Sequence, residues 1–148
     1  MEETAQERQP VGRVIKCLSN VLRRYLNAAF AESGLTELTG TQGMVLHYLL
    51  HSNVECITQH DIEQHFNVRG ATSSKLFQRM EAAGLIERVP LSKDQRKKQL
   101  IPTQKARELD ARSHACLIKT DQLLTTGISE EELEIFLHVC EQMHRNLR

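Results

Sequence analysis

Helical periodicity runs along this 148-residue chain with one interruption, and that interruption constrains the fold more than any other feature. After Gly84 the three-and-four spacing of apolar residues stops. Leu85-Ile86-Glu87-Arg88-Val89 reads as a strand, and Pro90 to Gln95 as a turn. Arg96 to Ile101 reads as a returning strand, weak in alternation and expected at a sheet edge. Thr103 then caps a new helix. Just before the interruption, Thr58 and Asp61 open a short helix with Ile62 and Phe66 inward, and Asn67 is suited to end it. A second helix over Gly70–Ala83 buries Leu76, Phe77, Met80 and Ala83 until Gly84 stops it. Only three or four residues separate the pair, which is helix-turn-helix spacing. A helix-turn-helix followed at once by a basic hairpin predicts a winged helix.

The flanks are helical. Val11, Val14, Ile15, Leu18, Val21, Leu22, Tyr25, Leu26, Ala29 and Phe30 form one broad apolar stripe that Gly34 ends. Thr39 with Gln42 predicts a capping box, and Met44, Val45, Tyr48 and Leu49 a buried face behind it. Ala106, Leu109, Cys116, Leu117, Thr120, Leu123 and Leu124 follow Thr103 along the fifth helix, broken at Gly127. Ser129-Glu130-Glu131-Glu132 caps a last helix with Leu133, Phe136, Leu137, Cys140 and Leu147 on one face. A winged helix has its own small core, so the surplus apolar faces at both ends are expected to bury against a second copy. The expected fold is therefore mainly α. One domain spans 1–148, with 39–103 as the winged helix-turn-helix lobe and 11–33 and 104–147 mainly dimerisation helices.

Net charge is zero, yet its distribution is uneven. Residues 1–68 carry 5 Lys/Arg against 8 Asp/Glu, residues 69–112 carry 11 against 5, and residues 113–148 carry 3 against 6. The middle segment is thus six positive charges in excess, between two acidic ends, which points to a polyanion facing the winged helix. On the Gly70–Ala83 helix, the core positions leave Thr72, Lys75 and Arg79 along another face, with Arg69 at its leading end. A helix of this kind fits the major groove of double-stranded DNA. Around the hairpin, Arg88, Lys93, Arg96, Lys97 and Lys98 face a single acid, Asp94, a pattern suited to phosphates.

Ala71-Thr72-Ser73-Ser74-Lys75-Leu76, Met80-Glu81-Ala82-Ala83-Gly84-Leu85-Ile86-Glu87-Arg88, Asp94-Gln95-Arg96 and Thr103 together resemble the MarR (multiple-antibiotic-resistance regulator) family of bacterial winged-helix regulators. The likeness extends over nearly the whole chain through the terminal helices. It implies a homodimeric repressor on a palindromic operator, released by a small aromatic effector. It also implies DNA contacts by Thr72 and Lys75, a minor-groove Arg96, and Asp94 bracing the wing. Gln95 stands where the family usually has a further arginine, Pro102 where it has leucine, and Ala106 where it has glycine. Arg96 is therefore the one expected groove insertion per subunit.

Other chemistry is thinly represented. GxSxG, P-loop, GxGxxG and HExxH motifs are missing, so no enzyme and no cofactor are expected. His47 and His51 lie four apart, as do Cys140 and His144, but two ligands are not a site, and no metal is expected. His47, Tyr48 and His114 are the polar candidates for an effector pocket between the DNA-binding lobe and the dimer helices. Cys17 lies on the first helix, where oxidant-sensing relatives keep a thiol, although burial between subunits is the expected fate. Four widely spaced cysteines without a CxxC pair read as reduced thiols. An acidic start without an apolar core, and no run of apolar residues long enough for a membrane, add up to a cytoplasmic expectation. The competing reading is a helical protein-interaction module that kept the fold without DNA binding. Redox- and metal-responsive forms of the regulator are further alternatives.

Overall fold

The computed structural model describes residues 9–91 and 94–148, and for residues 94–96 the backbone only. Among the described residues, six helices and one hairpin follow in the expected order: α1 (Val11–Glu32), α2 (Gly40–His51), α3 (Gln59–His65), α4 (Gly70–Ala82), β1 (Ile86–Leu91), β2 (Asp94–Pro102), α5 (Gln104–Leu124) and α6 (Glu130–Asn146). The chain divides into two compact units, Met1–Leu117 and Ile118–Arg148, so the boundary falls within α5.

Local chemistry accounts for the helix ends. Thr39, Thr58 and Ser129 each accept from the backbone N–H three residues on, while Gln42, Asp61 and Glu132 reach back to the capping residue's own N–H. Reciprocal bonds of this kind satisfy donors that no preceding turn can reach. At the far end of α3, Asn67 adopts a left-handed conformation (φ 49°), and Val68 N–H bonds back to Glu63 C=O at 3.0 Å. Gly84 (φ 70°) closes α4 the same way, through Leu85 N–H to Met80 C=O at 2.9 Å.

The first unit packs around residues from every element it contains. Leu26 and Phe30 of α1 meet Val45, Leu46 and Leu49 of α2, and Leu35, Leu38, Ile57, Ile62, Phe77, Met80, Leu85, Ile86, Leu100, Ala106 and Leu109 complete the buried set. On α2 the expected face is only partly right. Val45 and Leu49 are buried, Met44 and Tyr48 are half-buried, and Leu46, absent from that face, is fully buried because both sides of α2 meet protein. Phe66, Leu76 and Ala83 are likewise half-buried, packed against the core rather than within it.

α1 approaches α2 through glycine. A Cβ at Gly43 would lie 2.6 Å from the ring of Phe30, which is wholly buried and has no free direction to move. Gly43→Ala is therefore expected to destabilise the protein by up to about 2 kcal/mol, an overpacking cost of about 1–3 kcal/mol outweighing the roughly 1 kcal/mol that alanine contributes to helix propensity. Denaturant unfolding of the two proteins checks this, and equal or greater stability of the alanine variant would contradict the packing.

β1 and β2 pair antiparallel with Ile86 opposite Pro102 and Arg88 opposite Leu100. β2 is less exposed at its edge than its sequence suggests. Leu100 N–H donates to Ile57 C=O at 2.9 Å, and Thr58 bridges Gln99, so the residues entering α3 cover the base of the hairpin. Thr103 then turns the chain into α5: its hydroxyl donates to Gly84 C=O at 2.6 Å and accepts from Ala106 N–H at 3.2 Å.

In the second unit, α6 has no buried residue. Phe136 is 54% exposed and Leu137 61%. On α1 the exposed apolar positions Val14, Leu18, Val21 and Tyr25 form a stripe beside half-buried Leu22 and buried Leu26 and Phe30. Among the described residues, no helix is long and apolar enough to cross a membrane.

A candidate nucleic-acid interface

α4 is held by its buried side. Ser73, Phe77 and Met80 point into the protein, with exposures of 1%, 0% and 0%. The Ser73 hydroxyl donates to Glu63 Oε1 at 2.7 Å, and Glu63 also accepts from Gln59 at 3.1 Å. This ties α3 to α4 across the turn. Sequence spacing missed it, since a serine between Thr72 and Ser74 gives no sign of which hydroxyl is buried.

With that side fixed, Thr72, Lys75 and Arg79 are exposed together. At 3.6 residues per turn they fall within about 60° of one another on the helix surface. Arg69 is exposed at the N-cap position, in an extended conformation. The four recognition-helix candidates therefore share one accessible face and leading edge. Among the described residues, neither Lys75 nor Arg79 is in an ion pair.

Arg88, counted among the hairpin cations in the sequence, is committed elsewhere. Its Nε donates to Glu81 on α4 at 2.9 Å. Those bonds, followed by the charges of Arg88 and Lys98, hold the Glu81 carboxyl below its ordinary range. That contact holds the guanidinium against α4. Lys97 and Lys98 instead line a groove with Thr58, Gln59, His60 and Asp61, at the start of α3. There the Asp61 carboxyl is held below its usual range by hydrogen bonds from the Thr58 hydroxyl at 2.7 Å and backbone N–H at 2.8 Å. The side chains of Asp94 and Arg96, the brace and groove candidates, lie outside the described residues.

The pocket candidates separate. His47 and His114 stack at 4.6 Å between ring centroids, and His51 joins them. Tyr48 turns the other way, stacking on His65 at 4.0 Å and edge-on to Phe66 at 6.0 Å. Adjacent positions on α2 point about 100° apart, which explains the split. Cys17 is exposed in the single chain. Cys140 and His144 gain no third ligand-type neighbour among the described residues.

The family model described as MarR family matches residues 36–97, the span from the approach to α2 into β2. Among solved structures, the transcription regulator MarR from Oenococcus oeni PSU-1 is 28% identical with a TM-score of 0.75, over 92% of this chain and 99% of that one. S. aureus MepR, in a complex with DNA, is 23% identical with a TM-score of 0.80, over 94% and 97%. A MarR protein from Peptoclostridium difficile DA00132 shares the fold at 19% identity and a TM-score of 0.78, over 99% and 92%.

Proposed function

We propose that the chain is a winged-helix transcription regulator of the MarR type, which its likeness to the MarR family model and to MarR structures supports, and that it is a dimeric, sequence-specific DNA-binding repressor released by a small aromatic effector. One observation carries this reading: Thr72, Lys75 and Arg79 stand exposed on one face of α4, behind Arg69, in the segment holding the chain's excess positive charge. A helix presenting short polar and cationic side chains suits the major groove, where arginine reads guanine and lysine meets phosphate. That MepR has been seen with DNA supports placing α4 there, since its fold matches over 94% of this chain. Lys97 and Lys98 contact backbone phosphates beside the start of α3, and Arg96, aimed by Asp94, enters the adjacent minor groove.

The homodimer rests on the uncovered apolar faces of α1 and α6. Two recognition helices then meet half-sites about one DNA turn apart. His47, Tyr48 and His114 remain the candidates for effector contact, on two sides of α2, and the protein works in the cytoplasm. Selection from random duplexes tests the whole reading. The expected product is a palindrome whose binding weakens steeply as salt is raised. Recovery of no enriched sequence would overturn it in favour of a protein-interaction module.

A further inference from the structure

Within the first unit, α2 and α5 bring four ionisable side chains together. His47 and His51 lie one turn apart on α2, and Asp110 and His114 one turn apart on α5. His51 Nε2 lies 2.6 Å from Asp110 Oδ2, and His47 Nδ1 lies 3.8 Å from Asp110 Oδ1. One ligand atom from each of His47, His51 and Asp110 falls within 4.8 Å of the others. His114 stacks on His47.

A histidine–aspartate pair with a buried carboxylate is ordinarily a structural device, and the His51–Asp110 contact alone would fit that description. What remains does not. The Asp110 side chain is 8% exposed, yet its Oδ1 is buried without a hydrogen-bond partner, as are Nδ1 of His47 and Nδ1 of His114. Buried polar atoms normally find partners, and the orphans on His47 and Asp110, 3.8 Å apart, can share one. The 3.8 Å separation between His47 Nδ1 and Asp110 Oδ1 is too long for a hydrogen bond. It is close to the ligand–ligand spacing of about 3.3 Å that tetrahedral bonds of about 2.0–2.1 Å produce.

We propose that His47, His51 and Asp110 form a zinc-binding site that clasps α2 to α5. Two imidazoles and a carboxylate suit zinc, and the oxygen-preferring calcium and magnesium ions do not favour nitrogen ligands. Asp110 moves off His51 as the metal takes both, and His114 or water completes the tetrahedron. The site does not depend on DNA binding.

Chelator-stripped full-length protein titrated calorimetrically with Zn²⁺ is the test, with Co²⁺ absorption as a second readout. One tight zinc per chain is expected. His47→Gln, His51→Gln and Asp110→Asn should each weaken it by about 100-fold or more, and His114→Gln by about 10-fold. The Co²⁺ complex should show four-coordinate d–d bands without thiolate charge transfer, and those bands should be lost in His47→Gln. Cys140→Ser/His144→Gln should bind as wild type does. Circular dichroism separates lost binding from lost folding, and His47, being a third exposed, keeps the test alive should Asp110→Asn fail to fold. Wild-type affinity no greater than that of folded His47→Gln, or abolished binding in the Cys140/His144 variant, would overturn the proposal.

Discussion

Replacing Lys75 and Arg79 together by alanine should lower affinity for the selected operator by about three orders of magnitude at 0.15 M salt. Each phosphate contact contributes about 0.9 to the slope of log affinity against log salt. Two contacts per subunit are four in the proposed dimer, so the slope should flatten by about 3.5. From about 1 M down to 0.15 M salt, that difference amounts to roughly a thousandfold. Should Arg79 read guanine instead, its share becomes about 1–3 kcal/mol per half-site and the sequence preference relaxes there. Both side chains are exposed, so stability should stay within about 0.5 kcal/mol of wild type. Arg88→Ala is the informative contrast: this arginine is engaged with Glu81, and its loss should leave the slope nearly unchanged. Binding measured across a salt series decides the matter. An unchanged slope with less than a tenfold loss in the double variant would remove α4 from the DNA surface.

What the sequence made legible follows from which interactions are local. Capping boxes span four residues, so Thr39, Thr58 and Ser129 announce three helix starts, and all three are present. Asn67 and Gly84 signal helix ends for the same reason. The exposure of Thr72, Lys75 and Arg79 follows from periodicity once Phe77 and Met80 are placed inward. Interactions that depend on tertiary approach were hidden. Nothing local marks Ile57 as the residue that covers β2 at Leu100, or Glu81 as the partner of Arg88. His47 and His51 were visible as a pair, but Asp110 is 59 residues beyond His51 and reaches it only because α5 returns beside α2. The excess apolar surface on α1 was legible as one broad stripe. Its division into a buried half and an exposed half required the position of α2, against which Leu26 and Phe30 close.

That division makes a clean experiment on assembly. Leu18→Glu/Val21→Glu is expected to convert the proposed dimer into a folded monomer. Leu18 is 44% exposed and Val21 53%, so neither supports the core of the first unit. Leu26 and Phe30, which do, remain untouched. In a two-fold interface each substitution appears twice, placing four carboxylates where apolar surface would meet apolar surface. Burying an unpaired carboxylate costs several kcal/mol, which exceeds what a few lost aliphatic contacts would cost. Sedimentation should therefore report one chain instead of two, with helical content preserved. DNA binding should fall as well, because linking two half-site contacts in one molecule raises affinity by about 10²–10⁴ without any new contact. Phe136→Glu/Leu137→Glu on α6 should act in the same way from the other exposed face. A monomeric wild type would defeat the dimer outright, and a dimer that survives both pairs of substitutions would place the interface elsewhere. Full operator affinity in a proven monomer would break the link between pairing and recognition, leaving α4 to bind single half-sites on its own.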